Sequence, residues 1–178
     1  MNRSICRTAV GFVAGSVIVG AMSLGSSGAW AQQKTENTKK QIVGIWKLLG
    51  DVNTGKDGVA KPGAGFGTNP NGRMFFTSDG HYFNLNTRSD LPKFASGNRM
   101  QGTADENKAI VQGINGQFGT YTVSPDGKGL TLKVEGSTWP GWVGTEQKRT
   151  ITITGDEMKQ TLSASFGGTS ELTYKRIK

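Results

Sequence analysis

RMFFTSDGHYFNLNT, Arg73 to Thr87, is the stretch that decides the fold. Two aromatic-rich runs flank Asp79-Gly80. Aromatic side chains suit strands, and Asp-Gly suits a tight type I′ turn, whose two central residues both need positive φ. The stretch predicts a β-hairpin. Downstream, Gln117–Val123, Leu130–Glu135, Lys148–Thr154, Met158–Ser165 and Ser170–Ile177 also read as strands. Pro125-Asp126-Gly127, Gly155-Asp156 and Gly167-Gly168 supply turns between them. Upstream, Gln41 to Gly50 (QIVGIWKLLG) is the first apolar run. Together these make eight strand candidates with short connections. The expectation is an all-β chain: an antiparallel up-and-down β-barrel of about eight strands, closed so that no edge is left exposed.

One short helix interrupts the strands. Thr103-Ala104-Asp105-Glu106 forms a capping box, Ala109, Ile110 and Ile114 follow at helical spacing, and Gly113 and Gly116 stop it. Residues 51–72, DVNTGKDGVAKPGAGFGTNPNG, predict a long loop of the kind that acts as a lid or moves. Arg88 to Met100 reads as irregular.

The N-terminus is read as a leader rather than as fold. Arg3 and Arg7 precede a run of apolar and small residues, 9–24, and Ala29-Trp30-Ala31 offers a cleavage site. The predicted organisation is a signal peptide over 1–31, a flexible tail over 32–40 and one barrel domain over 41–178, in a periplasmic or secreted protein. Cleavage would remove two of the 21 basic residues, none of the 13 acidic ones and the only cysteine. Thiol nucleophiles, thiolate metal sites and disulfides would leave with it. The net charge, +8 for the whole chain and +6 after cleavage, fits an anionic envelope surface better than nucleic acid, because the basic residues are dispersed and the expected compartment lies outside the cytoplasm.

Several motifs together resemble those of the lipocalin-like domain family. Gly44-Ile45-Trp46 is similar to the G-x-W of a lipocalin first strand. Asn69–Gly80 (NPNGRMFFTSDG) resembles the family's Pro-x-Gly, strand and Asp-Gly hairpin, and Gly119–Val123 its G-x-Y-x-V strand. Glu135–Arg149 (EGSTWPGWVGTEQKR) is also similar. The resemblance covers residues 41 to 177. It implies a barrel with an internal cavity, and an arginine from the last strand laid across the first-strand tryptophan. Arg176 and Trp46 are the matching residues, in a structural role.

Candidate chemistry is sparse. His81 is the only histidine and follows a turn, so it is the one obvious proton-transfer residue to test, and no metal site is expected. Asp51–Gly58 lacks the glycine and glutamate of a calcium loop. Gly63–Gly67 lacks the Lys-Ser/Thr of a phosphate loop. Ser137 and Ser163 have no nucleophile-elbow setting. No catalytic residue and no cofactor is assigned. Trp139 and Trp142 bracket Pro140-Gly141 in a loop expected to cross one barrel end. Arg149 shares the alternation of Ile151 and Ile153. If that face points inward, Arg149 meets Glu135, Glu146 or an anionic ligand group; otherwise the face is the outer one. The expected cup is Phe76, Tyr82, Phe94, Tyr121, Trp139, Trp142 and Arg149.

Three functions follow from this reading. The first is binding of a small hydrophobic or amphipathic molecule, anionic if Arg149 meets it. The second is an envelope interaction protein acting through its loops. The third is an isomerase or cyclase using the same cavity, with His81, Glu135, Glu146, Tyr121 and Arg149 as candidate groups.

Overall fold

The computed structural model describes residues 26–63, 65–67, 69–164 and 167–178. Residues 1–25 of the expected 1–31 leader lie outside the described residues. Nine strands form one antiparallel sheet: β1 (Gly44–Thr54), β2 (Ala60–Pro62), β3 (Asn71–Phe76), β4 (His81–Thr87), β5 (Ile114–Val123), β6 (Gly129–Ser137), β7 (Glu146–Thr154), β8 (Glu157–Ser163) and β9 (Thr169–Ile177). Each of β3 to β9 pairs with its neighbour in sequence, and β9 pairs back onto β1 from Ile45↔Ile177 to Thr54↔Thr169. That last pairing closes eight strands into a barrel. β2 lies outside the ring, hairpinned onto the end of β1. The first half of the expected long loop is therefore sheet.

Alternation along each strand sends every second side chain inward. Trp46, Leu48, Met74, Leu130, Leu132, Met158 and Tyr174 are fully or almost fully buried there. The ladders shift register at Leu48/Gly50 between β1 and β9 and at Phe118/Gly119 between β5 and β6.

The β3–β4 turn differs from the expected type I′ form. Among the described residues no non-glycine has positive φ, so Asp79 stays on the ordinary side and Gly80 alone takes φ +93°. Thr77 and His81 close the loop, with the Thr77 N–H donating to the His81 carbonyl (2.9 Å), and the Thr77 hydroxyl bonds the Asp79 carboxylate. This is a three-residue loop with a single left-handed glycine.

Among the described residues two α-helices accompany the barrel, not one. α2 (Ala104–Gly113) starts with the expected capping box, Thr103 and Glu106 bonding each other's backbone N–H groups. The additional helix is α1 (Ser26–Ile42), which takes in the 32–40 stretch expected to be a flexible tail. Its inner stripe is Ala31, Thr35, Thr38 and Ile42, at helical spacing. Thr35 donates to the carbonyls of Ser124 and Pro125 (3.0 and 2.7 Å), and Thr38 to that of Gly127 (3.1 Å). Gly127 sits at φ +71°, and a Cβ there would stand 2.7 Å from the Thr38 hydroxyl. The helix thus rests on the β5–β6 turn and covers that end of the barrel. Among the described residues no helix is long and apolar enough to cross a membrane.

Candidate functional site

At the α1 end the interior is closed. Trp46 is fully buried and its indole N–H donates to the Ile42 carbonyl (2.7 Å). The Arg176 guanidinium lies 4.2 Å from the centroid of that ring. Arg176 also donates to the carbonyls of Val43 (2.7 Å) and Gln41. A helix C-terminus exposes carbonyls that need donors, and a cation suits its dipole. Phe76 and Tyr121 belong to the apolar core cluster, in edge contact at 5.0 Å, with the Tyr121 hydroxyl donating to the Thr77 carbonyl (2.8 Å).

Toward the other end the inner wall turns polar. Asn84 and Asn86 of β4, Gln117 of β5, Arg149 of β7 and Gln160 of β8 are all buried. Arg149 is 7 % exposed. It donates to Gln160 Oε1 (2.7 Å) and Gln147 Oε1 (2.9 Å), and Gln147 exchanges two amide bonds of 3.1 Å with Gln117. The inward alternative for Arg149 is the observed one, but its partners are neutral amides. Among the described residues neither Glu135 nor Glu146 forms an ion pair with it; both are exposed.

Among the described residues five buried side-chain polar atoms have no hydrogen-bond partner: Arg149 Nε, the Tyr82 hydroxyl and the Oδ1 atoms of Asn84, Asn86 and Asn115. Register places Asn84 opposite Gln117 and Asn86 opposite Asn115, so the asparagine oxygens share one wall. Each such atom costs about 1–3 kcal/mol to bury alone. Burial pulls the Arg149 pKa below its ordinary value. Burial also pushes the Tyr82 hydroxyl up to about 12, with Arg149 pulling it down and Glu135 pushing it up.

Asn115 also lines a groove of about 360 Å³ at the surface. Phe66, Val111, Ile114, Asn115, Trp139 and Trp142 line it. Phe66 comes from the 51–71 loop and packs on the core cluster. The tryptophan loop is held to β5 and β6 by backbone and side-chain hydrogen bonds. Thr138 and Gly116 bond each other, and Gly144 N–H donates to the Val134 carbonyl (2.9 Å). Its Pro140–Trp142 turn is a short 3-10 helix.

Of the seven expected cup residues, the structure brings Trp139 and Trp142 to the groove and turns Tyr82 and Arg149 into the interior. Phe76 and Tyr121 pack in the core, and their edge contact is not part of the groove. Phe94 is not in the barrel: it lines a separate surface groove with Lys93, Arg99 and Ile110, beside α2. His81 is exposed and starts β4 on its outer side, away from the polar wall. Among the described residues no cluster of His, Cys, Asp and Glu could hold a metal.

The model of a lipocalin-like domain matches residues 43–177. The chain belongs to this family. No curated protein matches it. Among solved structures, this lipocalin-like chain is similar to a lipocalin-like protein from Bacteroides uniformis, at 11 % identity over 77 % of this chain and 99 % of that one, with a TM-score of 0.40. It is also similar to a redesigned beta barrel, at 14 % identity over 79 % and 96 %, TM-score 0.41. A de novo designed fluorescence-activating beta barrel matches at 12 % identity over 79 % and 97 %, TM-score 0.39.

Sequence reasoning missed the polar wall itself. Its signal is in β4, where YFNLN reverses the usual alternation: Phe83 and Leu85 are exposed while Asn84 and Asn86 are buried.

Proposed function

We propose that this lipocalin-like barrel binds a small amphipathic molecule with an anionic oxygen group. Its apolar part lies in the groove between Phe66 and the two tryptophans, and its oxygens reach the polar wall. The observation that carries this reading is Arg149: a buried guanidinium with a free Nε–H, neutral amide partners and no carboxylate partner among the described residues. A buried cation calls for an anion, and a carboxylate accepts from a guanidinium with charge-assisted bonds. The Tyr82 hydroxyl offers a second donor, while the asparagine oxygens favour hydroxyl or amide groups on the same ligand. Pockets of this kind, apolar with few convergent polar groups, are typical of small-molecule sites. We further propose that the chain is exported with residues 1–31 as its leader, so that the working protein starts at Gln32.

Native mass spectrometry of the protein purified from the cells that make it tests both parts. The expected result is a mass starting at Gln32 plus a releasable small acid, absent from Arg149→Met. A reproducibly bare protein, or a bound molecule retained equally by Arg149→Met, defeats the ligand assignment.

A further inference from the structure

The outside of the barrel has two unlike halves. Ile177 of β9 pairs with Ile45 of β1, Ile45 with Phe75 of β3, Phe75 with Phe83 of β4, and Phe83 with Phe118 of β5. All five point outward and are 37–50 % exposed, so one apolar row crosses five adjacent strands. The Phe75 and Phe83 rings meet edge to face at 6.2 Å. At the far end of the row Gly136 faces Phe118, whose ring lies where a Cβ would stand.

The next outward row on the same strands is Lys175, Lys47 and Arg73, in register with one another, followed by Leu85. In β1, β3, β4, β5 and β9 the acidic residues are Asp51, which is buried, and Glu171, which is half-buried and paired with Lys159 at 3.1 Å. The exposed positions of β6 to β8 differ: Lys133, Glu135, Glu146, Lys148, Glu157 and Lys159 mix both signs. An apolar row bordered by Lys175, Lys47 and Arg73 fits a surface that offers apolar matter beneath negative charge.

We infer that this outer face, centred on Phe75 and Phe83 with Lys47 and Arg73 beside them, docks the barrel on an anionic lipid bilayer. The row curves with the barrel, so a flat bilayer meets its middle, Ile45, Phe75 and Phe83. The basic row then lies at headgroup level. A second copy of the chain fits less well, since face-to-face packing would bring Lys47 and Arg73 of both copies together. The face is separate from the interior wall, and the inference stands whether or not Arg149 binds an acid.

The test is co-sedimentation of the protein, as its producing cell processes it, with vesicles containing phosphatidylglycerol and with pure phosphatidylcholine vesicles. Binding to the anionic vesicles is expected, weakening as salt rises. Phe75→Ser with Phe83→Ser is expected to lower affinity by about tenfold or more. Lys47→Glu with Arg73→Glu should abolish binding, whereas Lys148→Glu with Lys159→Glu, an equal change in charge, should leave most of it. Circular dichroism checks that each variant is folded. Equal losses from the two charge-reversal pairs would reduce the effect to net charge and overturn the assignment. So would wild-type protein that stays in the supernatant. A dimer seen by light scattering, and dissolved by Phe83→Ser, would assign the face to a second copy instead.

Discussion

Arg176 and Trp46 face each other across the β1–β9 seam, the guanidinium 4.2 Å from the indole centroid. The same guanidinium bonds the carbonyls of Val43 and Gln41. One side chain thus ties the last strand, the first strand and the end of α1. Arg176→Lys keeps the charge but loses the planar fork, and is expected to cost about 1–2 kcal/mol. Urea denaturation measures it. An unchanged midpoint would show that charge alone suffices.

Arg149 sets stability against binding. Its cation is buried without a carboxylate, a costly arrangement that an apolar residue of similar length relieves. Arg149→Met is expected to leave the ligand-free barrel as stable as the wild type, or more stable by about 1–3 kcal/mol, while losing the acid. Thermal unfolding with and without ligand reads both effects. A large destabilisation would make Arg149 a purely structural residue.

The three tyrosines, Tyr82, Tyr121 and Tyr174, all have hydroxyls pushed above the ordinary value of 10 by burial. A raised folded pKa keeps the proton on in the folded state after the unfolded chain has lost it. The stability they contribute is therefore full below pH 10 and is lost as pH rises toward the folded value, about 12 for Tyr82. Absorbance titration at alkaline pH should show ionisation coinciding with unfolding. In Arg149→Met, Tyr82 loses the neighbouring cation that pulls it down and should titrate later still.

Asp51 is raised above the ordinary aspartate value of 3.8 by burial, with Ser170 pulling it back through a 2.8 Å hydrogen bond. By the same sign, its stabilising contribution is full below pH 3.8 and lost as pH rises through the folded value. Asp51→Asn keeps a hydrogen-bonding partner for Ser170 and removes the buried charge. It is expected to raise stability at neutral pH and to flatten the slope above pH 4. A variant less stable than wild type at pH 7 would refute this.

The barrel was legible because its strands announce themselves twice, by alternation and by Gly-rich turns at regular intervals. α1 was not. Its packing stripe contains Thr35 and Thr38, which dock by hydroxyl hydrogen bonds, and such a stripe leaves no apolar period to read. The Asp79-Gly80 turn was legible as a turn but not in type, since Gly80 alone supplies the positive φ.

The site was legible in fragments. Arg149, Ile151 and Ile153 were placed on one face, and that face points inward. The polar wall escaped because the alternation that placed Tyr82 in the cup was not carried on to Asn84 and Asn86, which lie on the same face. Phe94 was grouped with the cup by residue type, yet it lies in the connection before α2, where strand alternation gives no guide.

Closure through β1 and β9 has a consequence for the order of events in the cell. The sheet cannot become a ring until β9, near the C-terminus, has been made, and Arg176 reaches Gln41 and Val43 only then. Pairings between the two ends of a chain carry a large loop-closure cost and form slowly. While the ribosome is still at work, the polypeptide has no finished seam to lock it shut. Its rigidity arrives last, with β9.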